Sequence, residues 1–259
     1  MSEYNFLIDN MIWSFSRLNS FCICKYEWYL QYIEEAEGTN NFYAEFGKFC
    51  HKILEMYAKG ELGLFELSVE HYDEEVKEFV YHKTADIREN YKQKAIEYFD
   101  NIDIDFSKYE ILGIEKKCDF EINGYKFTGY IDLLLREKDT GKIVLIDHKS
   151  SKYPYGKKGK LLKSEKDKFQ QYKRQLYLYS IQVFNEYGVF PDRIGWNYFG
   201  DRKWDFLDFN KEDYEEAKKW AIDTLEEVRN TSEFPPTVDF YYCHNLCKFR
   251  NSYCEYKNY

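Results

Sequence analysis

Proline is scarce in this chain, 4 in 259 residues, and glycine numbers 13. That composition excludes a proline- or glycine-rich linker protein and points to a packed globular chain. No apolar run reaches the roughly 18 residues that span a bilayer, so no membrane partner is expected. The opening Met1-Ser2-Glu3-Tyr4 carries neither the basic stretch nor the apolar stretch of a secretory signal. A cytoplasmic protein is therefore expected, in a compartment where structural disulfides are rare. No Gly-rich Lys-Ser/Thr phosphate loop is found, which assigns any helicase function to a separate partner. Positive charge is in deficit as well. With 37 Lys+Arg against 46 Asp+Glu the formal net charge is −9, which argues against a nucleic-acid binder that uses its whole surface.

What the chain has in quantity is aromatic residues, 26 Tyr and 21 Phe. Its length suits one large domain or two small ones. Apolar periodicity predicts a Ser-capped helix over 11–35 that breaks near Cys22-Ile23-Cys24, and a helix over 46–59. Residues 66–100 read as helical and strongly charged, an exposed cap. Strands follow at Ile111–Ile122, Tyr125–Arg136 and Ile143–Lys149. The first two are joined by Asn123-Gly124, the strongest short-range hairpin signal. A helix is expected from Asp167 to Tyr187, then a hairpin of 194–199 and 204–209 around Gly200-Asp201. Asn210 should cap a last long helix over 211–230. With no internal repeat and no clear linker, one α/β domain is the economical description: a helical cap at about 60–105, a core at about 106–210, and a cysteine motif.

Charge stands where buried strands rarely carry it. Asp132 ends the run Phe127-Thr128-Gly129-Tyr130-Ile131, and Asp147 and Lys149 end Ile143-Val144-Leu145-Ile146. An ion taken out of water costs several kcal/mol unless it is paired or metal-bound. Asp147 and Lys149 share a strand face and His148 points away. Two carboxylates and an ammonium converging on paired strand ends suggest a divalent-metal site with a helper cation. On the helix from Asp167, residues Gln171, Gln175 and Tyr179 stack at steps of four, suited to a phosphate backbone or to orienting the lysine, or else simply facing solvent. Between Lys152 and Arg174 the chain concentrates Lys157, Lys158, Lys160 and other cations, a candidate surface for an anionic substrate.

Cysteine forms the second constellation. Cys243, Cys247 and Cys254 close the chain, and three such thiols in a reducing compartment point to metal rather than disulfide. A tetrahedral zinc or a [4Fe-4S] cluster needs a fourth ligand, for which Cys24, Cys22 and His244 are candidates. Cys50 and Cys118 lie in apolar surroundings and read as core.

These residues resemble, in order, the motifs of the PD-(D/E)xK nuclease superfamily. They are most similar to its RecB-like iron-sulfur branch, which includes the CRISPR-associated RecB-like exonucleases (the fourth-numbered Cas family) and phage relatives. Ser14-Phe15-Ser16-Arg17-Leu18 leading to Cys24 is similar to the branch's opening helix. Gly47-Lys48-Phe49-Cys50-His51 looks like its Gly-x-x-x-His motif, Gly129-Tyr130-Ile131-Asp132 its G-x-I-D motif and Asp147-His148-Lys149 its D-x-K motif. Gln175-Leu176-Tyr177-Leu178-Tyr179 is similar to its Q-x-x-x-Y motif, and the terminal cysteines to its iron-sulfur motif. The gaps between those cysteines are three and six here, where the family commonly has two and five.

The resemblance implies a restriction-endonuclease-like mixed sheet flanked by helices, with an iron-sulfur subdomain held by Cys24, Cys243, Cys247 and Cys254. It implies Mg2+ or Mn2+ on His51, Asp132, Asp147 and the His148 carbonyl, with Lys149 catalytic. Gln171, Gln175, Tyr179, Lys157, Lys158, Lys160 and Arg174 would engage DNA. The implied activity is that of a metal-dependent DNA exonuclease, on single strands and in the 5′-to-3′ direction, serving recombination and repair, phage DNA processing or CRISPR adaptation. The alternatives are a catalytically inactive DNA-binding scaffold, and a zinc module in which the site charges form an ordinary ion pair.

Overall fold

A computed structural model of the chain describes residues 4–61, 85–102, 104–254 and 256. The amino-terminal part is helical: α1 (Asn5–Asp9), α2 (Phe15–Ile23), α3 (Lys25–Tyr32) and α4 (Phe42–Ala58). The Ser14 hydroxyl accepts from the Arg17 N–H and caps α2, satisfying one of the donors every helix start leaves bare. The expected break falls at Cys24, whose extended backbone (φ −152°, ψ 109°) separates α2 from α3. Asn41 caps α4 through the Ala44 N–H, so this helix starts four residues before the expected 46. The expected cap lies partly outside the described residues. Its described part is α5 (Ala85–Asp100), which is not fully exposed: Ala95, Tyr98 and Phe99 are buried against Phe42, Phe46, Phe49 and Ile53 of α4. Their spacing puts them on one side of a helix, a stripe diluted by the surrounding charge.

Five strands form one mixed sheet in the order β1-β2-β3-β4-β5: β1 (Tyr109–Ile122), β2 (Tyr125–Glu137), β3 (Ile143–Lys149), β4 (Arg193–Tyr198) and β5 (Lys203–Asp208). The β1–β2 turn is Asn123-Gly124, both at positive φ, as a two-residue hairpin loop requires. Strand β3 is buried along nearly its whole length, the pattern of a central strand covered on both faces. It runs parallel to β4, and the connection between them contains α6 (Lys166–Tyr187), because parallel neighbours need a long crossover. Helix α7 (Lys211–Asn230), capped by Asn210 as expected, packs beside α6 and α2. A short α8 (Phe240–Asn245) follows.

The largest core lies between α2, α3, α6 and α7 and the sheet, where Trp13, Trp28, Leu134, Leu145, Leu178 and Trp196 are sealed from solvent. A smaller one joins α4 and α5 to Phe199. The charged residues stand at the carboxyl end of β3 and at the middle of its antiparallel neighbour β2.

Candidate active site

Strand register puts the charges together. Leu133 of β2 pairs with Ile146 of β3, so Asp132 stands beside the Asp147–His148 end of β3. Its Oδ2 accepts the His148 backbone N–H at 2.6 Å. Asp147 and Lys149 project to one face, with Asp147 Oδ2 2.6 Å from Lys149 Nζ. The His148 ring takes the other face, 3.1 Å from Asn197 Nδ2, and the same amide donates to the Tyr98 hydroxyl at 2.7 Å. Burial and the positive charges of His51 and Lys149 push the His148 imidazole well below its ordinary value, which keeps it neutral.

Helix α4 delivers His51 to the same place. Its Nε2 is 3.0 Å from the His148 carbonyl oxygen, and Nδ1 is 3.5 Å from Asp132 Oδ2 and 3.8 Å from Glu115 Oε1. A hydrogen on Nε2 donated to that carbonyl leaves Nδ1 facing the carboxylates. The carbonyl keeps a second lone pair.

Glu115 is the residue that sequence reasoning missed. It sits within β1 at φ 45°, a left-handed conformation that costs a non-glycine residue about 1–3 kcal/mol and concentrates at functional sites. A signal for it existed. The Asn123-Gly124 turn sets the β1–β2 register, in which Ile114 faces Leu133 and Lys116 faces Ile131, and Glu115 then stands opposite Asp132. Strand β1 alternates weakly, so nothing in its own pattern distinguished Glu115 from the other acidic residues along it.

Among the described residues, His51, Glu115 and Asp132 form a group whose ligand atoms all lie within 4.8 Å of one another. One imidazole and two carboxylates suit Mg2+ or Mn2+, with the nitrogen favouring manganese. The titration behaviour is that of a crowded anionic site. Burial and the Asp147 charge push Asp132 up to about 7. Burial alone would lower His51, but the charges of Asp132, Glu115 and Asp147 outweigh it and raise the imidazole to about 9. A site that holds its protons this tightly has a surplus of negative charge for a cation to neutralise.

Lys149 is gripped on three sides. Beside Asp147, its Nζ donates to Gln175 Oε1 at 3.0 Å and lies 4.2 Å from the centre of the Tyr172 ring. Burial opposes the charge on Lys149, yet the Asp147 carboxylate keeps it protonated and raises its pKa. Tyr172, absent from the sequence-based candidates, is one turn before Gln175 on α6, and its hydroxyl donates to Ser151 Oγ. Tyr179, one turn after Gln175, lies flat against β2 at Gly129. A Cβ there would stand 2.5 Å from the ring, so the close approach demands glycine.

The other substrate candidates are dispersed. Among the described residues no hydrogen bond reaches the buried Gln171 Oε1. Arg174 turns to α7, where its Nε donates to Glu216 at 3.1 Å and its guanidinium covers Trp220. Lys157, Lys158 and Lys160 are exposed on a loop closed by the Gly156 N–H donating to the Lys160 carbonyl.

The cysteines converge on a separate cavity lined by Cys24, Cys243, Cys247 and Cys254, with Glu27, Tyr242 and Phe249. Cys22 is exposed and lies 3.9 Å from Thr224 of α7, while the His244 ring stacks on Phe240. Neither lines the cavity. Cys50 and Cys118 are buried elsewhere, their thiols raised by burial, Cys118 to about 12.

The family model of the PD-(D/E)XK nuclease superfamily matches residues 12–259. The crystal structure of a candidate exonuclease from Eubacterium rectale is similar with a TM-score of 0.55 and 15% identity, over 99% of this chain and 90% of that one. At that identity the likeness concerns the fold. No curated protein matches the chain.

Proposed function

Starting from the fact that this chain belongs to the PD-(D/E)XK nuclease superfamily, we propose that it is a Mg2+- or Mn2+-dependent deoxyribonuclease. We propose further that it degrades single-stranded DNA from an end, in the 5′-to-3′ direction. The observation that carries the reading is the convergence of His51, Glu115 and Asp132 within 4.8 Å, beside the Asp147–Lys149 pair. A helix, two paired strands and a third strand meet there, and structural packing alone gives no reason to collect so many charges.

In this reading His51, Glu115, Asp132 and Asp147 hold the divalent ion, with the His148 carbonyl beside them. When bound, the ion lowers the pKa of a coordinated water and neutralises charge growing on the phosphate. Lys149 stays protonated and donates to the attacking water or to the phosphoryl oxygen. Gln175 and the Tyr172 ring fix where its Nζ points. Asn197 holds the His148 ring, which keeps the adjoining peptide aimed at Asp132 and His51. The lysines at 157, 158 and 160 add salt-sensitive affinity for any sequence.

We propose in addition an iron-sulfur cluster on Cys24, Cys243, Cys247 and Cys254, because these four cysteines line one cavity. In such a cluster each thiolate would bind a different iron.

The test is anaerobic purification, a visible spectrum, and assays of end-labelled single- and double-stranded DNA with Mg2+, Mn2+ or chelator. The reading expects metal-dependent release of nucleotides, lost in Asp132→Ala and Lys149→Ala. DNA binding without cleavage under every metal would establish the inactive scaffold instead. Stoichiometric zinc without broad visible absorption would replace the cluster.

A further inference from the structure

Gly47 lies in the interior of α4, one turn before His51, where glycine is among the poorest helix formers. Two structural reasons could excuse it, and neither applies. Its φ lies outside the positive range that favours glycine. A Cβ built there would touch only Ser150 Oγ, at an ordinary 3.6 Å, among the described residues. Gly129 differs, because there the neighbouring ring forbids any side chain. Among the described residues the space beside Gly47 is open, and Gly47 lines a cleft. Gly47, Lys48, His51, Lys52, Glu115 and Ser150 line an open cleft of about 480 Å³, whose floor holds two of the proposed metal ligands.

We propose that Gly47 is a docking point for the sugar-phosphate backbone of a polynucleotide, at the nucleotide adjoining the scissile phosphate. The missing side chain lets the strand lie against the α4 backbone, and Lys48 and Lys52 on the exposed side of the helix face its phosphates. The inference rests on the nuclease reading of the same site and adds to it the track by which the substrate reaches the carboxylates.

The test compares the protein with its Gly47→Ala and Gly47→Leu variants. Thermal stability, Mn2+ affinity by calorimetry, binding of a fluorescent single-stranded oligonucleotide in Ca2+, and single-turnover cleavage are measured for each. The alanine variant is expected to melt no lower than the wild type, because alanine is the better helix former and meets no clash. Its Mn2+ affinity should stay within about twofold, since no ligand moves, while oligonucleotide affinity falls by about tenfold. In the leucine variant cleavage should drop on the order of 100-fold, the effect of displacing a reacting group by about 1 Å. A lower melting temperature in Gly47→Ala would assign the glycine to packing and overturn the proposal. So would unchanged binding and cleavage in both variants while the wild type remains active. A wild type that neither binds nor cleaves DNA would instead bring down the nuclease reading, and this inference with it.

Discussion

At the scale of single residues the site balances two cations, Lys149 and the protonated His51, against several anions held out of water. Lys149 is the pivot, and its neighbours can be ranked by what their loss would do. Lys149→Ala removes the donor itself and should lower the cleavage rate on the order of 100- to 1,000-fold. Tyr172→Leu removes the ring face 4.2 Å from Nζ together with the hydroxyl's bond to Ser151 Oγ. A cation–π contact of about 0.5–2 kcal/mol translates to roughly 3- to 30-fold in kcat, with KM little changed. Tyr172→Phe keeps the face and should retain most of the rate. Steady-state kinetics on the two variants checks the pair.

The proton balance gives a second prediction at this scale. Asp132 is raised to about 7 and His51 to about 9, both above their ordinary values, so both hold protons to higher pH than usual. A divalent ion must displace those protons. Mn2+ affinity of the metal-free protein should therefore climb as pH rises from 6 through about 9 and level off above. Calorimetry in buffers of different ionisation heat would count the protons released. An affinity independent of pH would contradict the ligand assignment.

Among the secondary elements, α4 matters most, because it carries His51 and begins at an unusual junction. The Asn41 side chain caps the helix through the Ala44 N–H and also donates to the Leu246 carbonyl at 2.9 Å. The Thr39 N–H reaches the Lys248 carbonyl beside it. The start of the ligand-bearing helix is thus bonded to the loop between Cys243 and Cys254. Asn41→Ala should cost about 1 kcal/mol as a lost cap and more for the stranded carbonyl, seen as a lower melting temperature. Asn41→Asp keeps the cap but not the bond to Leu246, so it should recover part of the loss. The α6–β2 contact gives another element-scale prediction. Gly129→Ala drives a Cβ into the Tyr179 ring and should destabilise the fold by about 1–3 kcal/mol, measured by denaturant unfolding.

On the scale of the whole molecule, segments distant in sequence meet at the cysteine cavity, where Cys24 faces Cys243, Cys247 and Cys254. Cys24 and Cys243 are 219 positions apart, so a group bound to both closes nearly the whole chain. Loop-closure entropy puts the value of such a link on the order of 5 kcal/mol. With the proposed cluster in place, Cys243→Ser or chelation of the cluster should lower the melting temperature and raise protease sensitivity at both ends together. Limited proteolysis with mass spectrometry would map the cuts. Cuts confined to one terminus would contradict a link of this kind.

Much of this molecule is set by the order of its residues. The Asn123-Gly124 turn, the Ser14 and Asn210 caps and the alternation around Asp132 are local chemistry, decided within a few residues, and each appears where the sequence puts it. Asp147 and Lys149 share a face because strands alternate, whatever surrounds them. Other features required the folded chain. Glu115 is one acidic residue among many along β1 until the hairpin sets it opposite Asp132 and the backbone bends to aim it. The assignment of Cys24 rather than Cys22 to the cavity follows from the break between α2 and α3, and Arg174 is claimed by Glu216 of a helix almost forty residues away. The apolar face of α5 becomes visible only against α4. Local periodicity and turn chemistry act over single turns and strands, whereas a site of this kind is made of groups that meet only when distant elements pack.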